Sequence, residues 1–299
     1  MTDDTLDIAY KVCLQQACSH YENFPVVSRI LSRPLRYATA AIYSFARRAD
    51  DIADEGNLLA AARHKQLDCF SEHLKKIKKG IIPNDETFIA LADVIKKYHI
   101  PIEVLERLLT AFRMDVDKNR YASFEEVLQY CHCSADPVGE LVLRLHGMKT
   151  EENIHLSNRI CTALQLINFI QDIDEDLQKR NRIYIPLDEM TSYDVTEEML
   201  LEHKKNSSLN KLVAFQLARV KSMLLEGSPL IDSLKGRLYW VIKLTLVSAL
   251  RITTKLEKRK DIYQRPTLTL YDWLVILLKS LYFRPVKRHV RITSTNQTS

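Results

Sequence analysis

At 299 residues and 46% hydrophobic content, the chain can bury one large core or two small ones. Six glycines and nine prolines supply too little turn chemistry for many short strands. A formal charge of +5 without a domain-wide basic stripe argues against a nucleic-acid partner.

The amino terminus, Met1-Thr2-Asp3-Asp4, lacks the basic and apolar regions of a secretory signal. The six cysteines are therefore expected as reduced thiols in a cytoplasmic protein. Asp7 is placed to cap a first helix that runs toward Tyr21 and stops before Pro25. A second helix is predicted from Pro34 to Gly56, with Ala38, Ala41, Ile42, Phe45, Ala49 and Ile52 on its apolar face. Residues 58–79 and 84–98 read as two more helices, separated by Gly80 and Pro83. Pro101 opens a segment to Asp117, and Ser123 with Glu126 forms a capping box for a short helix through Tyr130.

Ser134 to Gly147 is expected to be helical, with Pro137 in its first turn, followed by one long helix from Glu151 to Lys179. Segments 195–205, 208–226, 229–259 and 268–283 complete an all-α, single-domain chain with a disordered tail at 293–299. No stretch reaches the apolar length of a membrane span. The segment 268–283 is nevertheless strongly apolar and precedes Arg284, Lys287, Arg288 and Arg291. It reads either as an interfacial helix on an anionic membrane, a peripheral contact, or as a core helix with a solvated basic tail.

Two acidic rows stand out. Asp50 and Asp54 share one helix face a turn apart, and Asn168, Asp172 and Asp176 repeat that spacing. Like charges so spaced destabilise a helix, and the cost grows inside a bundle. A hard divalent cation reverses the sign, because magnesium binds through a few carboxylates plus substrate phosphate oxygens. The plain alternative is two solvated helix faces. Arg47, Lys179, Arg180 and Arg182 flank the rows, where guanidinium forks suit a diphosphate. Two other metal readings are weak. Cys131-His132-Cys133 has no second Cys/His pair nearby, and a di-iron bundle would want two Glu-x-x-His units where only Glu152–His155 fits.

The stretches Tyr43-Ser-Phe-Ala-Arg47-Arg-Ala-Asp50-Asp-Ile-Ala-Asp54 and Gln165-Leu-Ile-Asn168-Phe-Ile-Gln171-Asp172-Ile-Asp-Glu-Asp176 resemble a known pair of motifs. They are the aspartate-rich motifs of the head-to-head isoprenoid synthases, the squalene/phytoene synthase family. Tyr130 to Gly139 looks like the family's intervening tyrosine-containing segment. Within the family the chain is most similar to the bacterial hydroxysqualene synthases of hopanoid pathways, through His20–Pro25, Ala49–Gly56, Ser134–Gly139 and Arg265–Leu268.

The resemblance covers about residues 10–280 and implies an isoprenoid synthase helical bundle over residues 1–292, with a central active-site cavity. It implies Mg2+ on Asp50, Asp54, Asn168, Asp172 and Asp176, with the four aspartates and Tyr130 catalytic. Diphosphate contacts are expected from Tyr43, Arg47, Gln165, Gln171 and Arg182. Condensing relatives that join two farnesyl diphosphates usually carry a Ser/Lys-rich stretch where this chain has His20–Pro25, and often an arginine where it has Gln171. Both departures favour a substrate with one diphosphate. The expected substrate is thus presqualene diphosphate, with water capturing the rearranged cation to give hydroxysqualene. Tyr130 and Tyr43 are candidates to stabilise that cation with their rings.

Such a role couples the chain functionally to a presqualene diphosphate synthase. No nicotinamide cofactor is expected, since the six glycines form no dinucleotide-binding loop. The rival readings are a condensing synthase acting on farnesyl or geranylgeranyl diphosphate, and a non-catalytic assembly factor of the same fold.

Overall fold

A computed structural model describes residues 3–19, 31–204 and 206–286. His20–Pro25 and the tail at 293–299 lie outside the described residues. Every named element is a helix, and the described residues hold only an isolated parallel bridge between Arg120 and Ile183.

The amino-terminal half runs through α1 (Asp3–Ser19), α2 (Arg33–Asp54), α3 (Ala60–Lys78), α4 (Glu86–Tyr98) and α5 (Ile102–Asp117). In α2, Ala38, Ala41, Phe45 and Ala49 are buried as the periodicity predicts, whereas Ile42 and Ile52 are only partly covered. Small alanines let α1 and α4 approach closely, and Phe45, Phe70 and Phe88 fill the centre of this first core cluster. His99 ends α4 in the left-handed conformation, and Pro101 then caps α5.

The second core cluster is built on α6 (Phe124–Ser134), α7 (Asp136–Leu145), α8 (Glu151–Gln171) and α9 (Ile173–Arg180). It continues through α10 (Leu187–Ser192), α11 (Glu197–Leu201), α12 (Ser207–Gly227), α13 (Leu230–Ser233), α14 (Gly236–Lys258) and α15 (Leu270–Tyr282). Two glycines let helices touch α8 directly. A Cβ on Gly139 of α7 would sit 2.3 Å from Ser157 Oγ, and one on Gly227 of α12 would sit 2.8 Å from the Leu156 carbonyl.

Five expectations need correction. Asp7 does not cap the first helix: α1 already begins at Asp3, and Asp7 lies inside it, paired with Lys11 one turn on at 2.6 Å. The segment 151–179 is bent at Asp172, which leaves helical geometry at φ −108°, ψ 20°. Four acids within 172–176 weaken a continuous helix there. The i→i−4 bonds from Asp172 to Asn168 and from Asp176 to Asp172 nevertheless bridge the bend.

The segment 229–259 is interrupted because Leu234 is extended and Gly236 adopts φ +58°. The box at Ser123 is half formed. Ser123 Oγ accepts from Glu126 N, but Glu126 turns to Ala122 N and Lys118 instead of closing the box. α10 was not expected; it starts at Pro186 and is only six residues long.

Candidate active site

α2 and α8–α9 bring the two acidic rows to opposite walls of one open cleft. It is lined by Asp50 and Asp54 on one side and by Gln165, Asn168, Asp172 and Asp176 on the other. Asp115, Tyr130, Phe169, Arg180, Arg182 and Tyr184 complete the lining. The rows meet because α2 and α8 both direct their polar faces inward, away from the two apolar cores.

Arginines hold the cleft together. Arg182 donates to both oxygens of Asp54, at 2.6 and 3.2 Å, and to the Asp115 carbonyl at 2.8 Å. Arg180 reaches Asp54 at 3.1 Å and Asp176 at 3.4 Å, so one guanidinium bridges the two rows. Arg265, from the loop before α15, lies 2.6 Å from Asp172 Oδ1.

These cations do not satisfy every carboxylate. Burial, reinforced by the Asp54 charge, pushes the Asp50 carboxyl up to about 6. Burial and the neighbouring Asp172 push Asp176 up to about 7. Asp172 is also raised by burial, against the pull of Arg265. Its Oδ1 is buried and has no hydrogen-bond partner despite the nearby guanidinium.

A crowded set of hard oxygen donors, three of them on carboxyls raised by burial, fits a magnesium-type cation in donor chemistry. Among the described residues no three His, Cys, Asp or Glu side chains converge closely enough to hold an ion. The Arg180 guanidinium, paired with Asp54 and Asp176, occupies the space between the rows.

Below the carboxylates the cleft turns aromatic. Phe169 and Tyr184 stack with ring centroids 3.7 Å apart, and Tyr130 packs against both. The same two stacked rings line an adjoining apolar pocket with Val127, Leu166, Ile170 and Val220. Its free space is 20 Å³, little more than one water needs. A ligand larger than a water can enter only if these side chains turn.

Asp115 anchors the floor. Tyr130 donates to its Oδ2 at 3.0 Å and Tyr184 to its Oδ1 at 3.4 Å. Burial raises Asp115 to about 7, although Arg182 pulls the other way.

The expected residues divide clearly. Asp50, Asp54, Tyr130, Gln165, Asn168, Asp172, Asp176 and Arg182 line one cleft. Tyr43, Arg47 and Gln171 are not among its lining residues. Arg47 is held by Asp50, Asp51 and Glu55 on its own helix and at its end. Tyr43 sits one turn before Arg47, packed against the first core cluster. Gln171 is buried and donates its amide to the Pro266 carbonyl at 2.7 Å, tying α8 to the loop before α15.

Asp115, Tyr184 and Arg265 were given no site role from sequence. For Asp115 a signal existed: it continues the buried α5 stripe of Leu108 and Ala111, where a carboxylate is costly.

Residues 18–272 match the family model described as squalene/phytoene synthase. A hydroxysqualene synthase of Rhodopseudomonas palustris is 32% identical over 273 residues, covering 89% of this chain and 90% of the relative. A phytoene synthase of Arthrospira platensis is 27% identical over 278 residues, covering 88% and 89%. Among solved structures, the squalene synthase HpnC of Alicyclobacillus acidocaldarius superposes with a TM-score of 0.81 at 32% identity, covering 89% of this chain and 98% of that one.

Proposed function

The chain belongs to the squalene/phytoene synthase family of isoprenoid synthase enzymes, and we propose that it converts presqualene diphosphate and water into hydroxysqualene and diphosphate. The observation that carries this reading is the pairing of opposed carboxylate rows with an aromatic floor in one cleft. Charge chemistry sits at the mouth, and apolar, ring-lined space lies beneath it.

Asp50, Asp54, Asn168, Asp172 and Asp176 would hold magnesium. Bound there, the ion would supply Lewis acidity toward a departing diphosphate. Arg180 and Arg182 offer guanidinium forks to the same oxygens. The C–O bond breaks and its electron pair leaves with the diphosphate. Phe169, Tyr184 and Tyr130 face the remaining carbocation with π-faces and exclude bulk water. A water oxygen then bonds to the rearranged cation and loses its proton.

A condensing reaction is the second reading. The phytoene synthase relative and the squalene synthase superposition both favour it. Purified protein with Mg2+ should be given farnesyl diphosphate and presqualene diphosphate in separate tubes, with products read by mass spectrometry. Hydroxysqualene from presqualene diphosphate, with farnesyl diphosphate untouched, is the expected result. Consumption of farnesyl diphosphate alone would overturn it in favour of condensation.

A further inference from the structure

Helix α15 is built inside out. Its buried stripe is Asp272, Ile276 and Ser280, two polar residues in three. Its outward face carries Leu274, Leu277, Leu278 and Leu281, which are 62%, 52%, 62% and 60% exposed, with Tyr271 and Tyr282 exposed near the two ends. The helix is fastened to the bundle by charge. Asp272 accepts from Arg251 at 2.7 Å and from Lys255 at 2.5 Å, and it closes a capping box with Thr269. Nothing in that attachment uses the leucines.

Single exposed leucines are ordinary; a contiguous face of them marks a binding surface. With the two tyrosines this face spans about 140° of the helix circumference, at 100° per residue. The sole charge on it is Lys279 at its edge. It offers no polar anchor of the kind that fixes register in a protein interface. Its tyrosines instead suit the level of lipid headgroups, where an aromatic ring can bury its body and wet its hydroxyl.

Charge points the same way. After Asp272 the chain has no further carboxylate side chain, while Lys279, Arg284, Lys287, Arg288 and Arg291 follow. Among the described residues no helix is long and apolar enough to cross a membrane.

We infer that the outward face of α15 docks in the plane of an anionic phospholipid membrane. Its leucines lie below the headgroups, and Lys279 and Arg284 lie against lipid phosphates. Docking of this kind is independent of the reaction proposed above.

The test is flotation of the full chain with phosphatidylcholine vesicles, with and without phosphatidylglycerol. The protein should float with the anionic vesicles and largely remain below with neutral ones. The exposed triple variant L274S/L278S/L281S should lower the bound fraction at least about tenfold while keeping wild-type circular dichroism. The variant R284Q/K287Q/R288Q/R291Q should lose the preference for phosphatidylglycerol. Failure to float with either vesicle, equal flotation with both, or undiminished flotation of the triple variant would overturn the inference. So would a wild-type dimer that becomes monomeric in the triple variant, which would assign the face to a second copy of the chain.

Discussion

Arg182 and Asp54 are 128 residues apart in sequence, yet the arginine grips both carboxylate oxygens of the aspartate from the turn that follows α9. The Arg182 side chain is only 9% exposed and that of Asp54 16%. The fork therefore works out of bulk solvent, where a planar, two-pronged contact is strongest. Burial alone would lower the proton affinity of Arg182, but the bond to Asp54 and the charge of Asp115 raise it further, so it stays cationic.

Removing one member of such a pair leaves a buried charge unmatched. Full burial would cost about 3–5 kcal/mol. Arg180 still reaches Asp54, so Arg182→Met should destabilise by about 2–3 kcal/mol, read from urea denaturation. Turnover should fall by about a hundredfold, a loss of oriented charge at the leaving group. Arg182→Lys should recover much of the stability and little of the turnover, since an ammonium cannot span both oxygens. Full turnover in the lysine variant would show that charge alone suffices.

Asp50 should behave oppositely in stability and activity. It lies beside Asp54 and Asp51 in a half-buried row, with Arg47 as its nearest ion-pair partner at 3.4 Å. Asp50→Asn relieves like-charge crowding and should raise the Tm of magnesium-free protein by roughly 1–3 °C. The same change should cut turnover by more than about a hundredfold. The Tm gain on adding Mg2+ should shrink with it. Turnover retained in D50N would remove Asp50 from the metal-binding set.

Much of this cleft is legible in the sequence. Asp50–Asp54 and Asn168–Asp172–Asp176 are local patterns, and helical spacing alone puts each row on a face. Asp115 shows only as a costly carboxylate on the apolar α5 stripe, and Tyr184 carries no spacing signal, because both join the site only when α5 and the turn after α9 fold against α8. Arg47 is a different case. Its position one turn before Asp51 suggested a diphosphate contact, but the same spacing lets it close on Asp51 and Glu55. Gln171 is one residue from a row member, and one residue on a helix is a turn of about 100° away from the cleft. The bend at Asp172 was hidden because apolar periodicity runs through it unbroken.

Asp272 makes the docking of α15 dependent on acid. Burial would raise its carboxyl, but hydrogen bonds from Lys255, Thr269 and Arg251 win and hold it well below the usual carboxylate range. A depressed folded value contributes stability above the unfolded pKa near 4 and loses it as pH falls toward the folded value. Tryptophan fluorescence in a Trp240→Phe background, which leaves Trp273 on α15 as the reporter, should therefore show a urea midpoint that drops below about pH 4. Asp272→Asn should lower the midpoint at pH 7 and flatten that acid dependence. An unchanged slope in D272N would place the acid-sensitive step elsewhere.

The two helix crossings on α8 differ in how they would answer an added methyl. At Gly139 the new carbon would meet the side-chain ends of Ser157 and Cys161, and the serine can rotate. At Gly227 it would meet Ile160 Cγ1 at 2.6 Å and the Leu156 carbonyl at 2.8 Å, and the backbone oxygen cannot step aside alone. Gly227→Ala should cost about 2–3 kcal/mol and Gly139→Ala about 1 kcal/mol, both from denaturant midpoints. Reversal of that order would mean that α12 slides on α8 more readily than α7 does.

Tyr130 separates ring from hydroxyl. Its ring packs on Tyr121, Phe169 and Tyr184, while its hydroxyl donates to Asp115 at 3.0 Å. Tyr130→Phe keeps the π-face and removes one donor from a carboxylate that still has Tyr184 and Arg182 nearby. The expected loss is about 1 kcal/mol of stability, with kcat within about threefold of wild type. Tyr130→Leu removes the ring from the cation's surroundings and should lower kcat at least about tenfold, consistent with a buried cation–π contribution. Should Y130F fall as far as Y130L, the working group is the hydroxyl, and Asp115 then becomes the partner through which a proton leaves the captured water.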